Sequence, residues 1–294
     1  MKRRTIMKTN YGSFFRKLRL DKNISISSLA DEFISKGMIS KFERDESEIS
    51  VSRFFHLLDK IHVRAAEFDL AKNMFNPTGF ESLLRKIQMY VIEENYGKLE
   101  KLAMIEFTNW QKSKDSYSYL NFIMVTAIIN GHKKKEISQE DLDFLTNYLF
   151  KCENWGLYEL TLYTNSISVL PINTILVFSK SLPQKILLLK DSASILDTAI
   201  NAIINTLILC IEHDKVEEGL FFIKVLDDFP LSEVMLFERM LFHVYKGIFF
   251  AKFTDKKQYG EKLIQDSLLI LKLANCNNLY DILLEDSNRL LFNI

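Results

Sequence analysis

The sequence predicts an all-α protein, with an N-terminal helix-turn-helix (repressor-like) domain followed by a C-terminal tetratricopeptide-like helical repeat domain. Three observations carry that expectation. Glycine and proline are scarce, 9 and 4 in 294 residues, and so little punctuation favours long helices over many short strands. Apolar residues recur at three- and four-residue spacing along most of the chain, the period of helices that bury one face. Near the start, residues 35–44 read as one short helix with an apolar side and a basic, polar side, which is the form a helix needs to lie in the major groove of DNA.

The length allows a small module and a larger domain, each with its own core. Apolar content of 48% and charged content of 26% are ordinary for a water-soluble chain. Lys+Arg and Asp+Glu both number 38, yet the balance is uneven. Residues 1–70 hold 14 basic and 10 acidic side chains, and the remainder holds 24 and 28. A basic head on an acidic body suits a DNA-contacting head, because phosphate attraction is long-ranged and blind to sequence. Cys152, Cys210 and Cys276 are far apart in the sequence and are expected as buried free thiols in a reducing cytosol. Residues 1–7 read as a basic tail rather than a secretory signal, with Met7 as an alternative start. The most apolar stretch, 195–211, is broken by Asp197, Asn201 and Asn205, so a soluble, cytoplasmic protein is expected.

Taken in order, Phe14, Phe15 and Leu18 form the apolar stripe of a first helix, flanked by Arg16, Lys17 and Arg19. Ser28 is expected to cap a short second helix carrying Leu29 and Phe33. A turn through Ile34 leads to Ser35 as cap of the third, whose Met38, Ile39 and Phe42 face inward. Ser50 or Ser52 starts a fourth helix with Phe54, Phe55, Leu57, Leu58 and Ile61, and Glu67 and Phe68 extend the core. Short helices in that succession, the third polar on one side, are the helix-turn-helix arrangement.

The runs Phe15-Arg16-Lys17-Leu18-Arg19, Leu29-Ala30-Asp31, Ile39-Ser40-Lys41-Phe42-Glu43-Arg44 and Ser47-Glu48-Ile49-Ser50-Val51-Ser52-Arg53-Phe54 resemble the repressor-type (Xre/Cro-like) DNA-binding domain. More narrowly they resemble Rgg/MutR-type transcriptional regulators. The resemblance implies a structural ion pair between Arg19 and Glu43 that orients the first and third helices. Some members of that family carry a cysteine after the recognition helix that links subunits; Ser47 stands in that segment here, so no such bond is expected.

Placement on the third helix makes Lys36, Gly37, Ser40 and Lys41 the expected readers of base edges, with Gly37 leaving room for close approach. Arg16, Lys17, Ser27 and Arg53 are expected on phosphates, where they would fix register without reading sequence.

Turn formers concentrate in a linker, 71–79, which separates a DNA-binding domain at 8–70 from a regulatory and dimerisation domain at 80–294. Helices are expected near 80–94, 96–112, 116–130, 138–152, 156–169, 171–181, 192–213, 215–228, 231–254, 257–275 and 278–291. Helix pairs recur about every 35–40 residues, as in a tetratricopeptide-like stack with a concave face open to a small molecule or an extended peptide. Rgg-type regulators bind short signalling peptides in such a groove, and the resemblance implies the same here. Asn201 and Asn205, with Asn121, Tyr163 and Asn165, are candidates to hold a peptide backbone. Arg239, His243 and Lys246 share a helix face and are candidates for a peptide carboxylate.

No phosphate loop, metal-ligand pattern or nucleophile motif is present, and the histidines are scattered, so no catalysis, metal or cofactor is expected. The expected function is a homodimeric, peptide-responsive regulator on an inverted-repeat site in double-stranded DNA, with RNA polymerase as a further partner and no membrane. A ligand-independent dimeric repressor or activator, whose C-terminal domain only dimerises or recruits a protein, is the alternative.

Overall fold

Phe15, Leu29, Ile34, Ile39, Phe42, Leu57, Leu58, Ile61, Val63 and Phe68 are all buried and form one core beneath five short helices: α1 (Tyr11–Asp21), α2 (Ile26–Leu29), α3 (Lys36–Glu43), α4 (Val51–Lys60) and α5 (Ala65–Lys72). The computed structural model describes residues 10–73, 79–189, 193–229 and 231–292. The expected tail at 1–7 and residues 74–78 of the expected linker therefore lie outside the described residues. Contacts divide the chain into two compact units, the first ending at Glu93 and the second beginning at Glu94. Helix α6 (Gly79–Ile92) accordingly groups with the first.

Local chemistry sets the helix ends in the first unit. Ser35 accepts from the Met38 amide at 3.3 Å, and Ser50 accepts from the Arg53 amide at 3.4 Å, so that Ser50 rather than Ser52 caps α4. The second helix differs from expectation. Its cap is Ser25, which accepts from the Ser28 amide at 3.0 Å, and the helix stops at Leu29. Asp31 Oδ1 then accepts from the amides of Phe33 and Ile34, each at 3.0 Å, and this local bonding competes with helix. Phe33 is left exposed. Where α1 crosses α3, a Cβ on Gly12 would stand 1.7 Å from the Phe42 carbonyl oxygen, so no other residue fits there.

The second unit comprises α7 (Tyr96–Ser113), α8 (Ser116–His132), α9 (Gln139–Lys151), α10 (Leu157–Ser166), α11 (Ile172–Leu189), α12 (Ala193–Glu212), α13 (Val216–Asp228), α14 (Leu236–Phe253), α15 (Lys257–Leu273) and α16 (Asn277–Phe292). A 3₁₀ turn at Ile167–Val169 follows α10. Two boundaries move from their expected places. Helix α11 continues through Pro183, because its packing on α12 outweighs the one backbone bond that proline removes. Helix α14 begins at Leu236, since Leu231 and Met235 are buried in the preceding loop.

Even-numbered helices pack directly on their successors, α8 on α10, α10 on α12, α12 on α14 and α14 on α16, while α11, α13 and α15 pack chiefly on the even row. Helices α8, α10, α12, α14 and α16 therefore form one continuous row, the inner row by analogy with tetratricopeptide stacks. Among the described residues α12 alone is long and apolar enough to cross a membrane, over Ile195–Glu212. It is instead the central helix, packed on α10, α11, α13 and α14. A buried chain of hydroxyls ties it in: Tyr163 Oη to Ser179 Oγ at 2.7 Å, and Ser179 Oγ to Thr206 Oγ1 at 2.6 Å. Of the cysteines Cys210 is buried and Cys152 half-buried, but Cys276 is exposed, contrary to expectation, because it lies in the turn between α15 and α16.

Candidate functional site

Helix α3 turns Ile39 and Phe42 into the core and leaves Lys36, Gly37 and Lys41 exposed on the opposite side. Neither lysine has a hydrogen-bonding or ionic partner among the described residues. A Cβ on Gly37 would meet nothing within 4 Å, so the fold itself makes no demand for glycine there. Arg16 and Lys17 are likewise exposed on α1, and Ser27 on α2.

Two expected contact residues are engaged within the protein. Ser40 is half-buried, and its hydroxyl accepts from Arg44 Nη1 at 2.5 Å. Arg53 is half-buried as well; its Nε donates to the Phe33 carbonyl at 3.1 Å, and its guanidinium lies 5.8 Å from the Phe33 ring centroid. It anchors the turn before α3, so the fold reaches it first and a phosphate second.

Arg19 and Glu43 set the angle between α1 and α3. Arg19 Nε donates to Glu43 Oε1 at 2.6 Å and Nη2 to Oε2 at 2.8 Å, with both side chains nearly dry. A bidentate pair of this kind has one geometry. The sequence reading missed two further aspartates. Asp31 caps the α2–α3 turn, and its other oxygen meets Lys60 Nζ at 2.5 Å and His56 Nε2 at 2.7 Å. These bonds, Lys60 foremost, hold its carboxyl well below the ordinary carboxylate range. Asp45, at φ 55°, turns the chain after α3 and accepts from the amides of Gly12 and Ser13 at the start of α1. An aspartate two residues before an extended run, or just after a helix, is the available signal for both.

On the inner row, Asn121 (α8), Asn165 (α10), Asn201 and Asn205 (α12) are all half-buried. Asn121 is held at both ends, donating to Glu106 Oε2 at 3.0 Å and accepting from Tyr158 Oη at 3.2 Å. Asn165 and Asn201 donate to carbonyls of their own helices, Thr161 at 2.8 Å and Asp197 at 2.9 Å. Asn205 has no side-chain partner among the described residues.

The remaining groove candidates are placed elsewhere. Tyr163 is fully buried in the hydroxyl chain and cannot line a groove; its aromatic bulk is core. Lys246 Nζ pairs with Asp227 of α13 at 2.5 Å, and Arg239 Nη2 donates to the Leu231 carbonyl at 2.6 Å. Arg239 is thus engaged with the loop before α14 and Lys246 with α13, while His243 on the same stripe is exposed. Partial burial first, then Lys246 and Arg239, pushes the His243 imidazole down from its ordinary value. Polar groups that do join inner-row helices were missed: Tyr245 Oη donates to Asp286 at 2.8 Å, and Arg289 bridges Glu212 at 2.6 Å and Asp286 at 2.8 Å.

A basic α3 locked to α1 by a buried ion pair, joined in one chain to a two-row helical stack, defines a helix-turn-helix regulator with a helical-repeat second domain. Residues 106–283 match the family described as HTH-type transcriptional regulator Rgg, C-terminal domain, and the chain belongs to the Rgg family of transcriptional regulators. It is 29% identical to the SHP pheromone receptor Rgg2 of Streptococcus dysgalactiae, over 95% of this chain and 99% of that one, with a TM-score of 0.79. It shares its fold with a proposed transcriptional regulator from Listeria monocytogenes EGD-e, at 18% identity, coverage of 95% and 97%, and TM-score 0.78. The same holds for PrgX in its complex with cCF10, at 15% identity, coverage of 96% and 92%, and TM-score 0.69.

Proposed function

We propose that this Rgg-family regulator acts in the cytoplasm as a homodimer, binding an inverted-repeat site in double-stranded DNA through α3 under the control of a short peptide on its inner helical row. The carrying observation is the pair of exposed lysines on α3, Lys36 and Lys41, left without partners and flanking a glycine the fold does not require. Lys36, Gly37 and Lys41 meet base edges, and Arg16, Lys17 and Ser27 meet phosphates.

Peptide control draws support from the pheromone receptor that this chain resembles along its length. Asn205 of α12, half-buried and with no side-chain partner among the described residues, supplies the matching chemistry, since an amide side chain both donates to and accepts from a peptide backbone. Dimerisation draws support from the end of the stack. Leu269, Ile270, Leu273, Ile282 and Phe292 are exposed on α15 and α16, whereas a terminal repeat facing water carries a polar outer surface. A small head also needs a second half-site about one helical turn away.

Lys36→Ala with Lys41→Ala is expected to weaken operator binding by about 1–3 kcal/mol per lost base contact and to relax its specificity, whereas Arg16→Ala with Lys17→Ala makes the dependence of affinity on salt shallower by about two in log-log slope per dimer half. Affinity unchanged in the Lys36 and Lys41 variant overturns the assignment of α3. For the groove, synthetic hydrophobic peptides are titrated against wild type and Asn205→Leu; a bound peptide raises the melting temperature by mass action, and the variant loses the rise.

A further inference from the structure

Lys36 and Ser40 on helix α3 and Arg44, its C-cap residue, follow at four-residue steps and therefore form one stripe. Arg44 continues the stripe by one turn beyond the expected readers. Its guanidinium donates to Ser40 Oγ through Nη1, and through Nε and Nη2 it grips Glu46 at 2.7 and 2.8 Å, oxygen for nitrogen. Backbone geometry delivers Glu46 to that place. Asp45 is left-handed at φ 55°, the Glu46 amide donates back to the Lys41 carbonyl at 3.0 Å, and the Asp45 carboxylate is fastened to the start of α1. Both partners are about half exposed, at 47% and 52%.

A carboxylate offers a guanidinium two coplanar oxygens, and so does a phosphate. An exposed pair exchanges easily, because water and salt already screen most of its attraction. We propose that Arg44 is a phosphate-binding residue held ready by Glu46, which stands in for a DNA phosphate in the free protein and gives Arg44 up when α3 enters the groove. The exchange moves no covalent bond; it replaces one anion by another on the same fork. While paired, Glu46 keeps Arg44 extended along the stripe, and it lowers the affinity of the head for any DNA by the cost of parting the pair. Arg44 is thereby a positioning and contact residue of the DNA-binding activity, and the proposal rests on α3 being the DNA helix.

The test uses the full chain and a mixed-sequence 30-base-pair duplex, since phosphate contact is independent of sequence. Arg44→Ala is expected to weaken binding and to reduce the log-log salt slope by about one per head. Glu46→Gln is expected to strengthen binding about two- to fivefold, and that gain disappears in the Arg44→Ala background, as coupling of two residues requires. Glu48→Gln, an exposed acid of the same loop, is the control for bulk charge. Equal gains from Glu46→Gln and Glu48→Gln, both kept in the Arg44→Ala background, overturn the proposal, as does unchanged binding in Arg44→Ala. If Lys36→Ala with Lys41→Ala weakens operator binding while both Arg44 and Glu46 variants are silent, α3 remains the DNA helix and only the exchange fails. Melting curves of each variant show that the head is folded.

Discussion

Gly247 and Gly260 pass so closely that a Cβ on Gly260 would stand 2.4 Å from the Gly247 carbonyl oxygen, and one on Gly247 would stand 2.7 Å from that of Gly260. The contact brings α14 and α15 together backbone to backbone. Gly260→Ala therefore sets two effects against each other: a helix-propensity gain of about 1 kcal/mol and an overpacking cost of about 1–3 kcal/mol or more. The obstructing atoms are backbone, the Ala251 amide at 2.7 Å among them, so they cannot swing aside. The expected result is net destabilisation of the second unit, read as a lower urea midpoint.

Breaking the Arg19 and Glu43 pair from one side leaves a charge in a dry site. Arg19→Met or Glu43→Leu alone is expected to cost about 3–5 kcal/mol, and the double replacement to recover much of it. Denaturant curves of the three variants give the comparison; a double variant as unstable as the singles contradicts it.

Asp31 makes the head sensitive to acid. Its carboxyl is held below its ordinary value of 3.8 by Lys60, then His56, then the amides it caps. With the folded-state value depressed, its contribution is fully present above that ordinary value and is lost as pH falls below it towards the depressed one. The melting-temperature gap between wild type and Asp31→Asn is therefore expected to narrow steadily below about pH 4.

Tyr163 belongs to the core and not to the groove. Tyr163→Phe removes one hydroxyl while Ser179 and Thr206 keep each other, so the expected cost is about 1 kcal/mol. Tyr163→Ala opens a cavity at a cost of roughly 3–5 kcal/mol. Peptide titration of Tyr163→Phe is expected to match wild type.

Leu273, 75% exposed at the end of α15, tests the stack end as a subunit contact. Leu273→Glu is expected to shift the sedimentation coefficient towards the monomer with little change in melting temperature. A dimer that persists at the same concentration places the contact elsewhere.

Apolar period and scarce punctuation made the helices legible, and most helix ends in the body fall near the expected ones. The misplacements share a cause. At Asp31, Pro183 and Met235 the outcome turns on a side chain bonding to nearby backbone, or on tertiary packing, and neither is encoded in period. Exposure on α3 was readable because one face had to be apolar. Groove residues were harder: Asn201 and Tyr163 are both polar residues in apolar surroundings in the sequence, and only the third dimension separates a half-buried amide on α12 from a hydroxyl sealed between α10 and α11. The Arg44 and Glu46 pair escaped notice because a left-handed Asp45 folds the chain back on itself.

Helix α12 carries a consequence for the fate of incomplete chains. Its apolar segment, Ile195–Glu212, is covered by α13 and α14 as well as by α10 and α11. A nascent or clipped chain that ends before α13 thus presents a bilayer-length apolar segment with two of its four covering helices absent. Such fragments are expected to aggregate or to partition into lipid.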